Sequence, residues 1–255
     1  MSLVAVVLAA GKGTRMGSDL PKVLHPLLGE PLVVHAIRAA QAAGAARVVV
    51  VVGHGAAQVQ AALAGGSPVH PPLTFAVQAE QRGTGHAVLC ALPALAEHVG
   101  DVLILSGDVP RLRAATLERL ARACADSPAR LALATFHARD PQGYGRIVRA
   151  RVRDEAAAVV AIVEERDASP AQRAIQECNA GVYCVGVELL RGALPSLGAA
   201  NSQGEIYLTD LVAQVAGQGV RALEVPESEV AGVNTPAQLA ALEALARAES
   251  GPARG

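Results

Sequence analysis

Leu3-Val-Ala-Val-Val-Leu-Ala-Ala-Gly-Lys-Gly-Thr-Arg-Met-Gly-Ser-Asp-Leu-Pro-Lys22 reads as a short apolar strand that runs into a glycine-rich, cationic turn. The apolar run Leu3 to Leu8 is too short for a helix and rich in Val, the pattern of a strand buried on both faces. Ala9, Ala10, Gly11 and Gly13 follow at once. Small residues let a ligand approach the backbone, and glycine also permits positive φ. Lys12, Arg15 and Lys22 lie in or just beyond the turn, and Lys12 and Lys22 are the two lysines among 22 basic residues. Lysine is a compact point charge and is not interchangeable with arginine at a crowded phosphate. Backbone N–H groups and these charges can converge on a polyphosphate.

Two common phosphate loops are excluded by spacing. The dinucleotide fingerprint needs G-x-G-x-x-G, whereas Gly11, Gly13 and Gly17 are one residue too long, and Pro21 blocks an immediate helix. The ATPase loop needs G-x-x-x-x-G-K-[ST], which neither lysine satisfies. What remains, Leu-Ala-Ala-Gly-Lys-Gly-Thr-Arg-Met followed by Pro-Lys, is similar to the signature of sugar-phosphate nucleotidyltransferases.

Working outward, strands and helices alternate, which predicts a mostly parallel central sheet with helices on both faces. Expected strands are Arg47 to Val52, Leu73 to Val77, Asp101 to Ser106 and Arg130 to Phe136. Expected helices are Leu32 to Ala43, Ala56 to Leu63, Gly85 to Leu95 with Thr84 as N-cap, and Ala115 to Ala125. The rhythm then changes. Short strands at Ile147 to Arg149, Val159 to Val163 and Gly181 to Val185 suggest a small β elaboration on the substrate side. Helices at Val187 to Leu194 and Tyr207 to Ala216, a strand at Ala222 to Val225 and a last helix from Thr235-Pro236 to about Ala248 complete the pattern. One domain over 1–249 with a polar tail at 250–255 is the expected organisation.

The totals narrow the function. The 255 residues carry a formal net charge of −1, which argues against general nucleic-acid binding. No run approaches a membrane span, and the opening apolar stretch lacks a basic leader, so it reads as a strand. Cys90, Cys124, Cys178 and Cys184 have no C-x-x-C spacing and read as buried reduced thiols in a cytoplasmic protein. The histidines give no metal spacing, and His54 reads as a turn residue.

In open parallel sheets a ligand sits beyond the carboxyl ends of the strands. Three loops fall there: the Gly11 loop, Gln78 to Thr84, and Gly107-Asp108 after Ser106. Asp108 can hold Mg²⁺ against phosphate oxygens, because Mg²⁺ takes few protein ligands; it is also a plausible turn cap. Asn234, in Gly-Val-Asn-Thr-Pro, is equally a turn residue. An amide and a glycine backbone in the 78–84 loop can read a base edge, though the segment also fits an ordinary loop. Glu164 and Asn179 could bond sugar hydroxyls, with Glu165 an equal candidate. Glu205 to Asp210 reads as a helix start against the site. Arg111, Arg119 and Arg122 read as solvated charge.

Longer stretches carry a more selective match. Gln78-Ala-Glu-Gln-Arg-Gly-Thr-Gly-His-Ala87, Gly107-Asp-Val-Pro110, Asp140-Pro-Gln-Gly-Tyr-Gly-Arg-Ile147, Ile162-Val-Glu164, Gln203-Gly-Glu205 and Gly232-Val-Asn234 join the opening motif. From Val4 to about Leu245 the chain resembles the uridylyltransferase (pyrophosphorylase) domain of bacterial bifunctional N-acetylglucosamine-1-phosphate uridylyltransferase/glucosamine-1-phosphate acetyltransferases. The resemblance implies a Rossmann-like nucleotidyltransferase fold. It implies that Leu8, Ala9, Ala10 and Gly11 line the nucleotide with backbone, that Gln78 and Gly83 read uracil, and that Thr84, Ser106 and Gly107 border the nucleotide. Arg15 and Lys22 would bind the triphosphate, Asp108 and Asn234 would hold Mg²⁺, and Gly145, Glu164 and Asn179 would hold N-acetylglucosamine.

Three positions depart from that pattern: Ser106 where some relatives have Tyr, Arg111 in place of an apolar residue, and Ala180 where Thr is frequent. The family's C-terminal β-helix, which carries the acetyltransferase and trimerises it, has no counterpart in the sequence; the expectation is no acetyltransferase activity and a monomer or weak dimer. The expected reaction joins UTP and N-acetylglucosamine 1-phosphate into UDP-N-acetylglucosamine and pyrophosphate. The alternatives are a relative with another sugar or nucleotide, and a non-catalytic nucleotide-sugar-binding protein.

Overall fold

The computed structural model describes residues 2–64, 73–150 and 158–250. In chain order the elements are β1 Ser2–Ala9, β2 Pro26–Leu27, β3 Glu30–Pro31, α1 Leu32–Ala42, β4 Arg47–Val52, α2 Ala56–Ala64, β5 Leu73–Val77, α3 Thr84–Ala91, β6 Gly100–Ser106 and α4 Ala114–Ala125. The second half adds β7 Leu131–His137, β8 Arg146–Arg149, β9 Val159–Val163, α5 Pro170–Arg173, β10 Glu177–Gly186, α6 Val187–Ala193, α7 Asp210–Gln214, β11 Arg221–Glu224, α8 Glu227–Val230 and α9 Pro236–Ser250. The main path of the sheet runs β5-β4-β1-β6-β10-β7-β11, with β8 and β9 attached beside β10. Strands β5, β4, β1 and β6 are parallel, as are β7 and β11, while β10 is antiparallel to both β6 and β7.

The apolar runs have a simple cause. Along β1, Leu3, Ala5, Val7 and Ala9 face one core and Val4, Val6 and Leu8 the other, so both faces of the strand are apolar from Leu3 to Ala9. Strands β4 and β6 divide in the same way. Residues of α1, α2 and α4 close one face, and residues of α3, α6 and α7 close the other. The chain leaves β1 over the first face to β4 and returns from β5 over the second face to β6. The carboxyl end of β1 is therefore a topological switch point, where open α/β sheets leave a crevice.

Several expectations need correction. Gly181 to Val185 belongs to β10, which is longer and sits inside the main sheet, not in a peripheral elaboration. Thr84 is the first residue of α3 and not its N-cap; Gly83 holds that position at φ 98°, and the Thr84 hydroxyl accepts the Leu208 N–H at 3.1 Å. Pro93 lies in a tighter 3-10 turn, Leu92–Leu95, so the helix expected to Leu95 ends at Ala91. The helix expected over Tyr207 to Ala216 shrinks to α7. Ser250 closes α9, and the remainder of the expected tail, 251–255, lies outside the described residues.

Candidate active site

The turn after β1 is shaped by its glycines. Gly13 has φ +61°, and a Cβ there would stand 2.5 Å from the Cβ of Lys22. The turn can close onto Lys22 only without a side chain at 13. A Cβ on Gly11 would meet nothing within 4 Å, so that residue faces open space. Met16 is buried with Leu27, Leu32, Val233 and Leu242 in a small separate core. This cluster ties the turn to the segment before α9, some 220 residues away in sequence (|i−j| = 219 between Arg15 and Asn234).

Four predicted polar side chains meet there. Lys22 Nζ pairs with Asp108 Oδ2 and donates to Asn234 Oδ1 at 3.1 Å. Arg15 Nη2 donates to the same Asn234 oxygen at 3.0 Å. The Asp108 carbonyl accepts the Val233 N–H at 2.9 Å, which holds the two loops together. Asn234 is fixed from behind by a reciprocal cap on α9: Gln238 Oε1 accepts the N–H groups of Asn234 (2.8 Å) and Thr235 (3.1 Å), while Thr235 Oγ1 accepts from Gln238 N–H at 3.2 Å. The Lys22 and Asp108 side chains are only 17% and 16% exposed, so their charges are weakly screened.

Beside this cluster lies a cleft of about 270 Å³, lined in part by Leu8, Ala9, Ala10, Gly11, Lys22 and Asp108. Gln78, Gly83, Thr84 and Ser106 line it too. Gly107 supports the cleft from below: its N–H bonds Leu8 O at 2.9 Å, and a Cβ would lie 3.1 Å from that oxygen. The sequence reading missed Val23, Gln81 and Ala87 as lining residues, and Glu205 also faces the cleft. Gln81 could have been found, since it lies in the same polar loop as Gln78; Val23 and Ala87 carry no polar signal. Gly83 is required by contact, because a Cβ there would stand 2.5 Å from Ile206 O, while Ile206 N–H bonds Arg82 O and Gly85 N–H bonds Ile206 O, each at 2.8 Å.

Gly145, Glu164 and Asn179 form a second group next to the cleft. Asn179 N–H bonds Gly145 O at 2.9 Å, and a Cβ on Gly145 would lie 3.5 Å from both Glu164 carboxylate oxygens. β10 carries a register shift between Asn179 and Tyr183, with Gly181 at φ +70°. Gly181 N–H bonds Asn179 Oδ1 at 3.0 Å, and a Cβ at Gly181 would reach within 3.5 Å of Ser106 Oγ, at the cleft's edge. Glu164 accepts the Thr209 hydroxyl at 3.0 Å and lines a depression with Asn201, Tyr207 and Asp210. Glu165 instead pairs with buried Arg146 at 3.1 Å, which separates the two adjacent carboxylates by role.

Burial pushes the Glu164 carboxyl above its ordinary value, with the Thr209 hydrogen bond opposing and neighbouring acids adding to the rise. The folded state then binds a proton more tightly than the unfolded chain, so this group's contribution to stability declines as pH rises from its unfolded range to its folded range. Glu164→Gln is therefore expected to raise the ligand-free Tm by about 2 °C at pH 7–8 relative to the parent, with the gain vanishing near pH 4. Differential scanning calorimetry at both pH values checks this, and an unchanged or lowered Tm at pH 7–8 contradicts it.

Two other features lie away from the cleft. Arg111 is not solvated charge: its side chain is 12% exposed and pairs with both Glu249 oxygens at 2.7 Å, docking α9. Arg119 and Arg122 are exposed, as expected. Asp101, Cys124 and Cys184 are buried close together at the far end of β6. Arg130 pairs with Asp101 at 2.5 Å, and the Cys124 thiol donates to Arg130 O at 3.3 Å, so this group is already satisfied as a structural link. All four cysteines are unbridged, three buried and Cys90 half-buried.

The fold and cleft can be compared with known proteins. The family model of the MobA-like NTP transferase domain matches residues 5–180. The chain belongs to this family. As an NTP transferase domain it is also similar to the "Bifunctional protein GlmU" of Anaeromyxobacter dehalogenans, 52% identical over 239 residues, 93% of this chain and 48% of that protein. The protein of the same name from Cellvibrio japonicus is 50% identical over 242 residues, 93% of this chain and 51% of that one. The chain thus spans about half the length of the curated relatives it matches. A solved UDP-glucose pyrophosphorylase, complexed with UDP-glucose, shares the fold with a TM-score of 0.76 at 16% identity, covering 98% of this chain and 100% of its own. No helix among the described residues of this NTP transferase domain is long and apolar enough to cross a membrane.

Proposed function

We propose that the chain transfers UMP from UTP to N-acetylglucosamine 1-phosphate, releasing pyrophosphate and forming UDP-N-acetylglucosamine. The observation that carries this reading is the convergence of Lys22, Arg15, Asp108 and Asn234 beside a cleft bordered by Gln78 and Gly83. The relatives named "Bifunctional protein GlmU" at about half identity support the choice of sugar and nucleotide. The four unbridged thiols suit a reducing cytoplasm.

In this reaction a phosphate oxygen of the sugar phosphate bonds to the α-phosphorus of UTP, and the bond from that phosphorus to the β-bridging oxygen breaks. The nucleophile is already an anion at neutral pH, so no general base is needed, and among the described residues the cleft lining holds no His or Cys. The barrier is repulsion and alignment, which positioned cations lower. Lys22 and Arg15 offset charge on the α-phosphate and the departing pyrophosphate. Gln78 and Gly83 orient the base, Leu8 to Gly11 admit the nucleotide against backbone, and Gly145, Glu164 and Asn179 hold the sugar.

The donor set also fits Mg²⁺. Asp108 Oδ2 and Asn234 Oδ1 are hard oxygen donors close enough to share one cation, since the Lys22 ammonium already touches both. When bound, Mg²⁺ would supply Lewis-acid polarisation and charge neutralisation at phosphate oxygens.

The test is pyrophosphate release with Mg²⁺ across UTP, dTTP, CTP and GTP against N-acetylglucosamine, N-acetylgalactosamine and glucose 1-phosphates. Release mainly with UTP and N-acetylglucosamine 1-phosphate is the expected result. A preference for another pair overturns the specificity, and binding of UDP-N-acetylglucosamine with no release from any pair overturns catalysis.

A further inference from the structure

Gln78 is 3% exposed, and its amide is held by two acceptors. Nε2 donates to Gly83 O at 3.0 Å and contacts His86 Nδ1 at 3.1 Å. Gly83 O can only accept, so the amide nitrogen must face it. The same nitrogen then gives its second hydrogen to His86 Nδ1. An amide NH₂ has two hydrogens, and both are taken. His86 Nδ1 is thereby unprotonated and the ring proton sits on Nε2, which faces the weak acceptor Sγ of Cys90 at 3.9 Å. The polar atom that Gln78 has left for a ligand in the cleft is the acceptor Oε1.

This polarity distinguishes pyrimidines. Uracil carries a donor at N3, flanked by two carbonyls, whereas cytosine carries an acceptor at N3 and an amine at C4. An acceptor aimed at N3 attracts uracil and repels cytosine. Turning the amide over to suit cytosine would set Oε1 against Gly83 O and would require the His86 proton to move from Nε2 to Nδ1, giving up the Nε2–H that faces Cys90 Sγ. Such lone-pair opposition leaves buried polar atoms unpaired and is strongly disfavoured.

We propose that His86 is a positioning residue for base choice: by taking the second amide hydrogen on Nδ1 it reinforces the Gln78 orientation set by Gly83 O, so that Oε1 is presented to the nucleobase. The inference rests on the proposed nucleotide site. His86 lies on α3 between the cleft-lining residues Thr84 and Ala87, and acts only through Gln78. Gly83 O favours the same amide orientation, so loss of His86 weakens discrimination without abolishing it.

The experiment compares kcat/KM for UTP and CTP in the parent, His86→Phe and His86→Asn. In His86→Phe the UTP-to-CTP preference is expected to fall about tenfold, through KM rather than kcat, because one of the two acceptors holding the amide is gone. In His86→Asn, whose side-chain oxygen can take the Nδ1 place, the preference is expected to recover to within about threefold of the parent. Nitrogen-15 shifts of the His86 ring in the parent provide a reading that needs no variant: the Nε2–H tautomer is expected. An unchanged preference in His86→Phe, or an Nδ1–H tautomer in the parent, overturns the role of His86 alone. A parent that does not prefer UTP over CTP removes the base-reading site beneath it.

Discussion

Lys22→Ala is expected to lower kcat for pyrophosphate release by about 10²–10³-fold while the protein stays folded. Lys22 supplies an ammonium that touches both Asp108 and Asn234, and Arg15 donates to the Asn234 oxygen. Arginine at the rim therefore does not replace it, since its planar fork does not reproduce a compact charge. The fold should survive because Lys22 is half-buried at the edge of the core, with its neighbours Val23 and Leu24 carrying the packing. A second sign follows from charge. Removing the ammonium leaves the Asp108 carboxylate without its cation, so Mg²⁺ should bind the ligand-free variant more tightly than the parent. Stopped-flow turnover, circular dichroism and Mg²⁺ calorimetry check the three parts. Parent-like turnover removes Lys22 from the mechanism.

Asp108→Ala is expected to lose on the order of 10³-fold in turnover, with no recovery as Mg²⁺ is raised. Here Mg²⁺ affinity should fall, opposite to Lys22→Ala, because Asn234 Oδ1 alone is a neutral donor already engaged by Arg15 and Lys22. The loop should hold its course, since its tie to the α9 segment runs through the Asp108 carbonyl and the Val233 N–H. The pair of variants thus separates two explanations that equal rate losses would leave confounded. If both variants weakened Mg²⁺ binding alike, the shared-cation reading of Lys22 and Asp108 would be wrong.

Much of this architecture was legible in the chain. Apolar runs at 3–8, 48–52 and 102–105 can be buried on both faces only between two layers of helices, and the structure divides their alternate residues between two cores. The Gly11 loop, the 78–84 loop and Gly107-Asp108 follow β1, β5 and β6, so their shared rim follows from strand direction alone. Family likeness added Asn234, Glu164 and Asn179, which spacing left level with ordinary turn and surface residues.

What the chain determined by itself was local: which segments are strands, which turns need glycine, and which loops emerge at the carboxyl ends. Hydrophobic period and turn chemistry act over a few residues, so they can be read without knowing the fold. Tertiary structure decided what meets what. Met16, Val233 and Leu242 pack together, and that contact brings Arg15 and Lys22 against Asn234. Arg111 is drawn from apparent surface charge into a largely covered position by α9, where it pairs with the exposed Glu249. The Gln78 amide takes its direction from Gly83 O, and His86 Nδ1 takes its second hydrogen. Each depends on contacts between separate elements, on burial or on the sense of one hydrogen bond, none of which a pattern of residue types contains.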